Sequence, residues 1–157
     1  MTFDYERSGA GRSEDLLVVD VSIWQAIMTH LRGALPNEGV GLLATDAESS
    51  VRRATRFFPG TNIDASPTRF TMEPREVLEA FDAIRAAGWA LGAIVHSHPA
   101  TAPAPSATDA REAHYPDAYL LIVSFAESAA IARAWKSIAD IDGQPRRFAE
   151  IRLEIRR

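Results

Sequence analysis

Three short runs in this chain, residues 39–45, 91–97 and 119–124, are almost entirely apolar and carry no polar residue at alternate positions. Runs of that length and texture read as strands covered on both faces. Strands of that kind need helices or a second sheet over each face, which confines the chain to α/β or α+β architectures. The intervening segments supply the helices. Ile23, Ile27, Met28 and Leu31 recur at helical spacing after Asp20 or Ser22 as cap, and Gly33 and Pro36 end the repeat. Pro74 stands where a helix tolerates it, in the first turn. Val77, Leu78, Phe81 and Ile84 then give one apolar face that ends near Gly88.

Residues 16–19, 51–58, 129–138 and 148–155 read as further strands. Pro59-Gly60 and Asp142-Gly143 are turn signals, 62–67 is loop, and 70–72 a short strand. Residues 100–105 form an Ala/Pro loop before a short helix from Ser106 to about Ala113. The expected architecture is a single domain over residues 16–157, a central mixed sheet flanked by helices, preceded by a loose leader at 1–15. No internal repeat is visible.

Composition narrows the chemistry. The 157 residues include no cysteine, which excludes disulfides, a thiol nucleophile and a Cys-ligated zinc site, and is compatible with a reducing cytoplasm. A formal net charge of −4 argues against a nucleic-acid partner. No run of about 18 apolar residues would span a membrane. The polar leader lacks the apolar stretch of a secretory signal, so a cytoplasmic location is expected.

The chemically informative segment is His96-Ser97-His98-Pro99, followed by Ser106 and Asp109. Strand side chains alternate, so His96 and His98 project to one side at the end of their strand. Asp109 follows a proline-rich loop that can return the chain over them. Two imidazoles and one carboxylate leave zinc a fourth position for water, which is the arrangement of a catalytic site. Each residue also has an ordinary reading. His-x-His occurs incidentally in strands, Ser106 and Asp109 form a helix-capping pair, and Glu38 beside Gly39 suits a solvated turn. His114 and His30 read as surface or structural residues. Trp24, Trp89 and Trp135 read as core or interface aromatics, and Arg52-Arg53 and Arg156-Arg157 as solvated charge.

Taken in order, Glu38, His96-Ser97-His98-Pro99, Ser106 and Asp109 resemble the JAMM (MPN-plus) metalloprotease motif at every position. Asn62, Ser66-Pro67, Arg69-Phe70 and Glu76 are similar to the middle segment of its small bacterial members. The stretch from Tyr115 to Tyr119 is similar to their post-motif segment. The resemblance implies a cytidine-deaminase-like MPN/JAB fold with zinc held by His96, His98 and Asp109. Glu38 would be the general base that passes a proton to the leaving amine, and Ser106 the donor to the oxyanion. Ser97 and Pro99 would only shape the loop.

The substrate class so implied is a small ubiquitin-like or sulfur-carrier protein cut after its C-terminal diglycine. Its extended tail would add as a strand beside the active-site sheet. A non-catalytic MPN-type scaffold, and a zinc hydrolase of a small molecule or free peptide, are the alternatives. A zinc nucleobase deaminase is excluded by the missing cysteines. Small family members often pair, so a homodimer is among the oligomeric states left open.

Overall fold

The computed structural model describes residues 14–111, 114–138 and 146–157. The expected leader lies outside the described residues apart from Glu14 and Asp15, and so does the expected Asp142-Gly143 turn. The elements follow as β1 (Leu16–Asp20), α1 (Val21–Ala34), β2 (Val40–Thr45), β3 (Val51–Gly60), α2 (Pro74–Ala87), β4 (Ala90–His98), α3 (Ala107–Arg111), β5 (Tyr119–Ser124), β6 (Ile131–Ile138) and β7 (Arg147–Arg156).

The strands close into a barrel in the order β1-β3-β2-β4-β5-β6-β7. Closure is compatible with the expected mixed sheet carrying helices against it, and adds to it that the sheet has no free ends. β1 pairs in parallel with both β3 and β7, joining what would have been the two free edges. β4 lies antiparallel to β2 and parallel to β5, so the strand carrying both histidines is hydrogen-bonded on both sides. β4 itself therefore offers no open edge to a substrate tail.

Alternation along the three apolar runs explains their texture. Leu43, Ala93, Val95, Leu121 and Val123 pack with Ile27, Met28 and Leu31 of α1 in one core cluster. Their neighbours Leu42, Ile94, Leu120 and Ile122 pack with Met72 and with Ala80 of α2 in a second. Both faces are buried, so neither set of alternate positions could be polar. His96 and His98 share parity with Ile94, which puts them on the α2 side.

Local details differ from the sequence reading at three places. β3 runs on through Pro59, which pairs with Gly41, to Gly60 opposite Val40. Only a single bridge, Asn62 to Met72, forms where a short strand was expected near Phe70. Leu78 is 65% exposed. α2 itself starts at Pro74, with the Glu73 carboxylate accepting from the Glu76 N–H, and ends on Gly88 in the left-handed region. Among the described residues no helix is long and apolar enough to cross a membrane.

Candidate metal centre

β4 delivers His96 and His98 with their Nε2 atoms 3.2 Å apart. Asp109 Oδ2 lies 3.2 Å from His96 Nε2 and 3.2 Å from His98 Nε2. The return of the chain is fixed by several contacts on the 98–105 stretch. Phe125 N–H donates to the His98 carbonyl at 3.0 Å. Ser124 Oγ donates to Thr101 O at 2.5 Å, and the Trp135 indole to Pro103 O at 2.9 Å. α3 then opens on a reciprocal cap, with Ser106 N–H donating to Asp109 Oδ2 at 2.9 Å and Asp109 N–H to Ser106 Oγ at 3.0 Å. The ordinary reading of this pair as a helix cap holds, and the cap is what aims Oδ2 at the imidazoles.

The donor set suits a small cation. A tetrahedral zinc ion with bonds of about 2.0–2.1 Å sets its ligand atoms about 3.3 Å apart. The three atoms here already stand at that spacing. His98 Nδ1 lies 2.7 Å from the Ala102 carbonyl, which in the neutral ring takes its N–H and leaves Nε2 as a lone pair. That lone pair faces the lone pairs of Asp109 Oδ2, an arrangement that calls for a positive charge between them. The same demand shows in the titration of the two groups. Burial disfavours the charged His98 imidazolium. The Asp109 hydrogen bond, the Ala102 carbonyl and the Asp109 and Glu38 charges outweigh burial and raise its pKa. Burial likewise pushes the Asp109 carboxyl up, and the charge and hydrogen bond of His96, with the bonds from His98 and Ser106 N–H, hold it far below the usual carboxylate range.

Glu38 precedes β2 and is only 3% exposed, so it is no solvated turn residue. Its Oε1 lies 3.9 Å from His98 Nε2. The sequence reading missed how this position is held. Gly39 N–H donates to Ser97 Oγ at 2.8 Å, and Ser97 N–H to the Gly39 carbonyl at 3.1 Å. The residue between the two histidines thus ties the segment carrying Glu38 to β4. A Cβ on Gly39 would come within 2.8 Å of Leu31 Cδ2 and 3.1 Å of Leu31 Cα, so a larger residue here would press against α1. The Glu-Gly pair was visible in the sequence, but the close approach to α1 was not.

A cleft of about 510 Å³ opens beside the centre, with His96 and Asp109 on its wall and Leu42, Met72, Tyr115 and Phe148 among its apolar lining. Phe70 also lines it, with its ring centroid 4.8 Å from that of His96. His114 is exposed, as expected, at the rim of the same cleft. His30 is structural, with Nε2 within 2.9 Å of Val40 O and 3.0 Å of Gly60 O. Arg52, expected to be solvated, is instead buried. It donates to Gly92 O and Asp117 O, both at 2.9 Å, and stands 3.7 Å over the Tyr119 ring.

Residues 20–138 match the family described as prokaryotic homologs of the JAB domain. The chain belongs to this family. The JAMM/MPN-plus resemblance drawn from the motif is thereby borne out. This JAB-family chain is 36% identical over 109 residues to a CysO-cysteine peptidase of Mycobacterium tuberculosis, spanning 69% of this chain and 73% of that protein. It is 36% identical over 104 residues to a desampylase of Haloferax volcanii, spanning 63% of this chain and 73% of the relative. The solution structure of protein DSY2949 from Desulfitobacterium hafniense superposes with a TM-score of 0.75 at 34% identity, covering 88% of this chain and 92% of that one.

Proposed function

We propose that the chain is a zinc-dependent peptidase or isopeptidase that cuts after the C-terminal diglycine of a small ubiquitin-like or sulfur-carrier protein. The observation that carries this reading is the set of three buried donor atoms spaced at 3.2 Å, with the Glu38 carboxylate 3.9 Å from one of them. The names of the relatives, a CysO-cysteine peptidase and a desampylase, support the substrate class.

His96, His98 and Asp109 would hold the ion. Zinc there would make the attacking water acidic and polarise the scissile carbonyl. Glu38, buried and beside His98, takes the proton from the attacking water and hands it to the leaving amine. Ser106 Oγ accepts from Asp109 N–H, which leaves its own proton free to donate to the oxyanion as the carbonyl becomes tetrahedral. The substrate tail lies in the cleft between the Phe70 loop and the post-motif segment, because β4 offers no open edge.

The test is incubation of the purified protein with diglycine-ended small proteins fused to a reporter. The reading expects release of the reporter at the diglycine junction, its loss with a chelator, and its return with added zinc. Cleavage that proceeds unchanged in chelator rejects the metal. A metal-loaded protein that leaves every diglycine fusion intact rejects the substrate class.

A further inference from the structure

Glu38 lies outside the strand ladder, one residue before Gly39 and two before β2 begins. Its own N–H and carbonyl are held by one loop, while Ser97 holds the next residue, Gly39. Glu38 N–H donates to Ser66 O at 2.8 Å, and the Glu38 carbonyl accepts from Asn62 Nδ2 at 3.0 Å. Asn62 is saturated. Its NH₂ also donates to Arg69 O at 3.0 Å, while its Oδ1 accepts from Asp64 N–H at 3.1 Å and Thr71 N–H at 3.1 Å. These four bonds use the whole capacity of a side-chain amide. They also settle its orientation, since two partners are carbonyls and two are N–H groups.

The loop that Asn62 organises is the one that carries Phe70 against His96. It is anchored at its base by Thr61, whose N–H and hydroxyl both donate to the Glu76 carboxylate of α2, and by Glu73 N–H donating to Thr61 O. One amide therefore joins the main chain of Glu38 to the segment bordering the cleft. A carboxylate that must meet a proton within hydrogen-bond reach tolerates little displacement, and a shift of about 1 Å can cost about 10²-fold in rate.

We propose that Asn62 is a positioning residue for Glu38: its side-chain amide fixes the main chain of the base and couples it to the loop over the cleft. This rests on the reading of Glu38 as general base. None of the four hydrogen bonds of Asn62 goes to a proposed metal ligand, so its effect falls on turnover rather than on metal binding.

Two variants separate holding the base from holding the loop. Asn62→Ala removes all four bonds. Asn62→Asp has the same shape and keeps an acceptor for Asp64 N–H and Thr71 N–H, but turns an oxygen toward the carbonyls of Glu38 and Arg69. Steady-state kinetics on the diglycine fusion should show kcat reduced by about 10–100-fold in both, the scale for displacing a reacting group by up to about 1 Å, with KM changed little. Bound zinc, measured by elemental mass spectrometry, should equal that of the unsubstituted protein. Amide hydrogen exchange at Glu38, whose N–H is bonded to the loop that Asn62 organises, should quicken in both variants, a readout independent of activity.

A rise in KM with kcat intact would make Asn62 a loop residue only and overturn the proposal. So would an unchanged kcat in both variants, or a fall in kcat that tracks lost zinc. Glu38→Gln, assayed alongside, separates the two levels. If it turns over normally, the base reading fails and takes this proposal with it. If it is inactive while both Asn62 variants keep full kcat, only the role of Asn62 fails.

Discussion

Asp109 and Ser106 cap α3 together, and each is also proposed to take part in the chemistry; for Ser106 a substitution should separate the two duties. Ser106→Ala removes a helix cap, worth typically ~1 kcal/mol, and with it the hydroxyl assigned to the oxyanion. We expect kcat to fall by about 10²–10³-fold with zinc still bound. Lost stability at unchanged kcat would leave Ser106 a cap and nothing more. Glu38→Gln preserves the shape of a buried side chain but cannot take a proton. It should lower turnover by about 10²–10⁴-fold while zinc content, measured on the same sample, stays at the level of the unsubstituted protein. Wild-type turnover in that variant would remove Glu38 from the chemistry. The motif residues were legible because their types and order are chemically restrictive. Asn62 and Ser97 could be quoted from the sequence but not given their contacts, because an amide or hydroxyl bonding to a distant main chain leaves no periodic trace.

At the scale of elements, periodicity succeeded where one face is buried and failed where it was counted too generously. Val77 and Phe81 lie one turn apart and pack against the second core cluster with Ala80 between them, and Ile84 one turn further on is buried. Leu78 directly follows Val77 and is turned about 100° away, so it is exposed despite its apolar side chain. Arg52 was misread for the converse reason: a charged residue in a strand is expected outside unless carbonyls wait for it, and Gly92 O and Asp117 O do. The stop of α2 was legible, since glycine suits the left-handed position after a helix. Gly88 has φ 71° and nothing within 4 Å of an added Cβ. Gly88→Ala therefore tests backbone strain alone, with no clash to confuse it. The expected loss is about 1–2 kcal/mol, read as a lowered midpoint in chemical denaturation with an unchanged m-value. A variant as stable as the parent would mean that the left-handed turn is not populated in solution.

At the scale of the whole molecule, closure of the barrel was the least legible feature. Nothing in residues 16–20 reveals that β1 will sit in parallel between β3 and β7, because pairing belongs to the partner strands and not to a strand's own alternation. Closure bears on how metal binding should affect stability. The proposed ligands come from β4, held on both sides within the barrel, and from α3, a five-residue helix too short to persist alone. Two buried clusters hold the barrel without any help from the site, so the metal-free protein should remain folded. An ion that binds only the folded state then adds stability by mass action, about 2.7 kcal/mol at a free concentration of 100 Kd. For a chain of this size about 2–4 °C accompanies each kcal/mol, so the melting temperature should rise by roughly 5–10 °C between chelator and saturating zinc. His98→Ala removes a ligand from β4 and should abolish that rise while leaving a cooperative transition in chelator. The comparison is informative because zinc binding to unfolded histidines would affect both proteins nearly alike. A parent protein that melts at one temperature with and without zinc would show that the three donors do not hold an ion in the folded state. Equal zinc shifts in parent and His98→Ala would place the binding site elsewhere.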